Sequence, residues 1–69
     1  MPMQYFDFND SNNEFSEVSL ETFQASSNAT ATIETADDGQ PIFTLEMPTL
    51  DTDAIEAAIL IFTNYIQNS

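Results

Sequence analysis

The side chains of this chain that could do chemistry are carboxyls, hydroxyls and amides. Its 69 residues hold twelve Asp and Glu and no Lys, Arg, His or Cys. General acid–base and nucleophilic catalysis draw mostly on His, Cys or Lys, or on two carboxylates held in a pocket. The first three types are missing. Carboxylate pairs occur at Asp37/Asp38 and Asp51/Asp53, but beside a glycine turn and at a helix start acids serve local structure. No group is present to hold an anionic substrate. The composition argues against an enzyme, and no catalytic residue or cofactor is expected.

Hard cations are the next chemistry to weigh. "DSNNEFSEVSLE" places oxygens at Asp10, Asn12, Glu14, Ser16 and Glu21, with the spacing of an EF-hand loop. That loop needs glycine at its sixth position for a sharp turn, and Phe15 stands there. A polar loop entering an acidic segment accounts for the stretch better. Weak divalent binding is expected, but no specific metal site. "NDS" at Asn9 and "NAT" at Asn28 fit the glycosylation acceptor pattern, yet such matches arise by chance in a chain this rich in Asn, Ser and Thr.

The charge itself is the informative feature. Ordinary domains carry about a quarter charged residues with both signs mixed; here 17% are charged, all negative, for a formal net charge of −12. Self-repulsion on that scale opposes compaction, and solubility alone requires only a modest net charge. The missing positive charges are therefore expected on a partner. Disorder does not explain the pattern, because 42% of the residues are apolar and they fall in blocks. One domain, 1–69, is expected, with a core so marginal that oligomerisation is a common staple at this size. Without cysteine no disulfide can help. "MPMQYFDF" lacks the basic and apolar regions of a signal peptide, and no run approaches a membrane span. Anionic lipid and nucleic acid would both repel the chain. A soluble, cytoplasmic protein in direct contact with neither is the expectation.

The elements that must position these carboxylates follow from periodicity. "MQYFDF" (Met3 to Phe8) reads as a short edge strand or a hydrophobic latch, and "NDSNN" (Asn9 to Asn13) as a polar loop. Glu14 to Ala25 fits a helix loosely through Phe15, Val18 and Phe23. Its Ser-rich, β-branched character and the alternation of Val18, Leu20 and Thr22 favour a strand. "ATATIETA" and "IFTLEM" flank "DDGQP" as a hairpin, with Gly39, the only glycine, supplying a positive φ. Ala29, Ala31 and Ile33, then Phe43, Leu45 and Met47, are assigned to the core face; Thr30, Thr32 and Glu34, then Ile42, Thr44 and Glu46, face the other way.

After Pro48, "TLDTD" offers Asp51, Thr52 or Asp53 as an N-cap, with Glu56 completing a capping box from Asp53. The helix should run from about Asp53 to Ile66, with Ile55, Ile59, Phe62 and Ile66 as its stripe and Ala58 and Tyr65 beside it. Leu60 and Ile61 widen that stripe beyond what one small sheet covers. A homodimer through Ile55, Ile59, Leu60, Ile61, Phe62 and Ile66 is therefore expected. The fold class is α+β: a small antiparallel β-meander of three or four strands with one C-terminal helix packed across it.

A rigid body of this size can imitate a nucleic acid. The standard scaling gives a radius of gyration near ~11 Å and a diameter of roughly 28 Å, over which duplex DNA presents about sixteen phosphates. Same-face residues on a strand lie ~6.6 Å apart and helix neighbours ~5–6 Å apart, comparable to successive phosphates. With the hairpin around "DDGQ" and the helix beginning "TDAIE", the chain resembles the small acidic DNA-mimic inhibitors of phages and mobile elements: anti-CRISPR proteins, anti-restriction proteins, uracil-DNA glycosylase inhibitors and inhibitors of nucleoid proteins. The likeness covers about Ser26 to Ile66 and is one of architecture. The resemblance implies an inhibitor that fills the basic groove of a host nucleic-acid-binding protein. Read from the residues, the contact set is Glu14, Glu17, Glu21, Glu34, Asp37, Asp38 and Glu46. Asp51, Asp53 and Glu56 are added to it, although capping is a competing role for each. Tyr5, Phe6 and Phe8 read either as an aromatic anchor or as core. The alternative from the same charge is an immunity- or assembly-type binder of a basic surface unrelated to nucleic acid.

Overall fold

The computed structural model describes residues 2–68. The elements run β1 (Met3–Asn9), β2 (Glu14–Val18), α1 (Leu20–Ala25), β3 (Thr30–Thr35), β4 (Pro41–Glu46) and α2 (Thr52–Asn68). The four strands form one antiparallel sheet in the order β2-β1-β3-β4, and α2 lies across one face of it. This is the expected α+β architecture. One feature differs from a sequential meander: β3 pairs with β1 rather than β2, so the first strand is central rather than an edge or a latch.

The strand β1 can be central because both of its faces find cover. Phe8, only 2% exposed, joins Ala29, Ala54 and Ala57 beneath α2, with Phe15 and Met47 packed around them. On the other face Tyr5 meets Phe23 of α1 at a ring separation of 5.1 Å. Both aromatics are thus structural, and half-buried Phe6 lines a hollow between the sheet and α2 with Ile33 and Ile61.

The stretch Glu14–Ala25 corrects the single-strand expectation. Pairing with β1 lasts only to Val18, opposite Tyr5. Ser19 then caps α1, its Oγ accepting from the Thr22 N–H at 3.3 Å. A side chain that satisfies an orphan helix donor ends the strand in favour of a turn of helix. The gain is cover for Tyr5.

The β3–β4 hairpin follows the alternation. Ala31 faces Leu45 and Ile33 faces Phe43 across the pair, and Gly39 adopts φ +86° in the turn. The chain reverses through Gly39 N–H to Ala36 O at 3.0 Å and Ala36 N–H to Gln40 O at 2.9 Å.

The helix α2 corrects two further expectations. Its cap is Asp51, whose Oδ1 accepts from the Asp53 N–H at 3.0 Å and the Ala54 N–H at 3.2 Å. Three residues after Asp51 stands Ala54, so Glu56 has no place in a capping box. The buried stripe is Ala54, Ala57 and Ala58, not the isoleucines. Phe62 stacks on Phe43 at 4.5 Å and Tyr65 meets the same ring edge-on at 6.0 Å. Ile59 and Ile66 point away from the sheet, each 58% exposed. No helix among the described residues is long and apolar enough to cross a membrane.

Candidate functional site

Strand register decides where the carboxylates gather. Asn9 pairs with Glu14, Asp7 with Thr30, and Thr30 with Glu46. The C-terminal ends of β1 and β4 therefore lie at the same end of the sheet as the N-terminal ends of β2 and β3. The chain leaves Glu46, crosses Met47–Leu50 and starts α2 at that end, where Asp51 and Asp10 line one small hollow of about 230 Å³. Seven of the twelve acids lie toward that end, Asp7 and Glu46 among them on the sheet face away from α2: Asp7, Asp10, Glu14, Glu46, Asp51, Asp53 and Glu56.

Five of those seven belong to the contact set read from sequence: Glu14, Glu46, Asp51, Asp53 and Glu56. The other members lie elsewhere. Glu34 stands toward the far end of β3, Asp37 and Asp38 in the β3–β4 turn beyond it, Glu17 on the edge strand β2 and Glu21 in the first turn of α1. The contact set read from sequence lacks Asp7 and Asp10. Asp7 sits inside an aromatic run that reads as core, and only the register with Thr30 and Glu46 brings it to the others.

Three carboxylates do structural work. Asp7 accepts from the Ser26 hydroxyl and ties the end of α1 to β1. Asp51 caps α2, and Asp38 accepts from the Gln40 N–H at 3.0 Å within its turn. The side chains of Asp10, Glu14, Glu46, Asp53 and Glu56 take no such bond among the described residues and are exposed. Their presentation is set by the backbones of β2, β4 and α2. Asp7 and Glu46 share a sheet face two strands apart, a separation of about 10 Å, within the ~6–12 Å span of duplex groove widths.

The concentration is tolerable because α2 begins there. The positive end of a helix dipole favours carboxylates in its first turn, by ~0.3–1 kcal/mol each at a surface. Asp51 at the cap and Asp53 in the first turn lie within that reach. A groove of about 630 Å³ adjoins the pole, lined by Phe23, Ser26, Asn28, Thr30, Glu46 and Met47 among others. It is open rather than enclosed. No group of three or more metal-ligating side chains converges among the described residues. Comparison with family models, curated proteins and solved structures finds no match for this chain.

Proposed function

We propose that the chain is a DNA-mimic inhibitor: its acidic pole enters the basic groove of a nucleic-acid-binding protein and competes there with DNA. The observation that carries this reading is the gathering of seven carboxylates at one end of a body that has no side-chain cation. Scale supports it. The molecule measures 34 × 25 × 17 Å with a radius of gyration of 11.7 Å. Duplex DNA carries about twenty phosphates over the longest of those dimensions, against twelve carboxylates here. The mimic works by position. Strands and a helix hold the charges where a flexible acidic tail would let them spread, so ordering costs the complex little. Long-range attraction speeds encounter and binding weakens as salt rises. The site of action is the cytoplasm, and the role is binding without catalysis.

Competition tests the proposal. The immobilised chain is loaded with basic proteins from a bacterial lysate at low ionic strength, then challenged with a duplex of about twenty base pairs. Retained nucleic-acid-binding proteins should leave with the duplex. Neutralising Glu14, Glu46, Asp53 and Glu56 together to amides should reduce retention far more than neutralising Glu21, Glu34 and Asp37. If duplex DNA displaces nothing at any salt concentration, the chain is instead a binder of a basic surface unrelated to nucleic acid.

A further inference from the structure

The last three turns of α2 are the electrical opposite of the pole. Asp53 and Glu56 lie at the helix start, and from Ala57 to Asn68 the helix carries no charge. Along this neutral stretch stand Ile59 and Ile66, each 58% exposed. Phe62, one turn from each of them, stacks on Phe43 of the edge strand β4, which fixes the side of the helix they occupy. Half-buried Ile55 lies a turn before Ile59 on that side. The result is an apolar band along α2, flanked by an unpaired strand edge.

We infer that this band is the seam of a homodimer, formed by two α2 helices packed antiparallel about a two-fold axis near Phe62. Charge selects the occupant. A cationic partner gains nothing from an uncharged band while carboxylates crowd the pole. A second copy, itself −12, can approach closely only where both surfaces are neutral. Symmetry selects the orientation. Ile59 and Ile66 are two helical turns apart, so the two-fold sets Ile59 of one copy across from Ile66 of the other. At 1.5 Å per residue the two acidic helix starts then lie roughly 24 Å apart, about three Debye lengths at physiological salt. A parallel pair would set them side by side. The monomer has use for the added cover: among the described residues its buried apolar set is Phe8, Ile33 and five alanines, a thin core for this length. The inference stands independently of what the pole binds.

Sedimentation equilibrium of the full chain tests it. Two bodies of equal sign repel, so dimerisation should strengthen about tenfold as NaCl rises from roughly 0.02 M to about 0.3 M. Binding of a basic protein has the opposite salt dependence. Ile59→Asp should weaken the dimer on the order of 30-fold or more, the loss expected at an interface hot spot, with its circular dichroism spectrum unchanged. Leu60→Asp is the control. Leu60 is 65% exposed but lies on the β2 side of the helix, beside Asn13 and Phe15, and its variant should dimerise normally. A chain that stays monomeric at every salt up to about 1 mM, a protein concentration near the weak limit of specific association, overturns the inference. Equal weakening by both substitutions overturns it too.

Discussion

On the side of α2 that meets the sheet the buried residues are Ala54, Ala57 and Ala58; on the sides that leave it stand Ile59, Leu60 and Ile66, each more than half exposed. Ordinary amphipathic helices put their large apolar residues inside. Here the sheet already fills that space with Phe8, Phe15 and Met47. Only a methyl group fits between those side chains and the helix backbone. The sheet therefore supplies the bulk and the helix supplies closeness. Each isoleucine left outside forgoes about half of the ~1.5–3 kcal/mol that full burial would contribute. Small residues inside and large ones outside make sense together if the outer band is covered by something else.

The sharpest way to break this contrast is to exchange the sizes. Ala54 is fully buried, so Ala54→Leu forces three extra carbons into filled space and should destabilise folding by about 1–3 kcal/mol. Ile59→Ala, measured where the chain is monomeric, should cost within about 0.5 kcal/mol, as exposed substitutions do. Urea unfolding of the two variants decides it. Similar losses would mean that Ile59 is held by the monomer and that the two sides of α2 are not distinct.

A smaller effect probes how the helix is fixed at its charged end. Asp51→Ala removes the acceptor for the Asp53 and Ala54 N–H groups and should cost about 1 kcal/mol. Glu56→Ala should cost less than half as much, because Glu56 closes no capping box. If the two variants melt alike, dipole attraction rather than the Asp51 hydrogen bonds holds the first turn.

The legible parts of this fold are those where one local signal acts alone. The β3–β4 hairpin could be read face by face, since strict alternation and a single glycine leave no competing register. The α2 boundaries were close, and the choice among caps included Asp51. What escaped were relations between distant segments. Nothing near Met3–Phe8 says that β3 will pair on its free side, so the strand reads as an edge. Val18–Thr22 alternates like a strand, yet Ser19 can cap, and the outcome depends on Tyr5 needing Phe23 above it. Hydrophobic spacing alone points to the isoleucines as the inner stripe of α2, and the volume already filled by Phe8 and Phe15 is not a local property. The acidic pole was half legible for the same reason: Glu46, Asp51, Asp53 and Glu56 are near in sequence, whereas Asp7 reaches them only through two strand pairings.

The mildest perturbation addresses whether the pole is a true concentration of charge. Glu46 is exposed, takes no hydrogen bond among the described residues, and shares a face with Asp7 two strands away. Repulsion within the pole opposes folding, so Glu46→Gln should stabilise the monomer by a few tenths of a kcal/mol at low salt, about 1–2 °C in Tm for a domain this small. Glu17, on the opposite edge of the sheet, has fewer acidic neighbours, and Glu17→Gln should raise Tm by less. Both gains should shrink as salt screens the field. The comparison is internal: the same chemical change is made on a strand at either edge of one sheet. If the two variants gain equally at low salt, the twelve carboxylates act as a uniform shell, and the pole has no electrostatic identity that a groove could select.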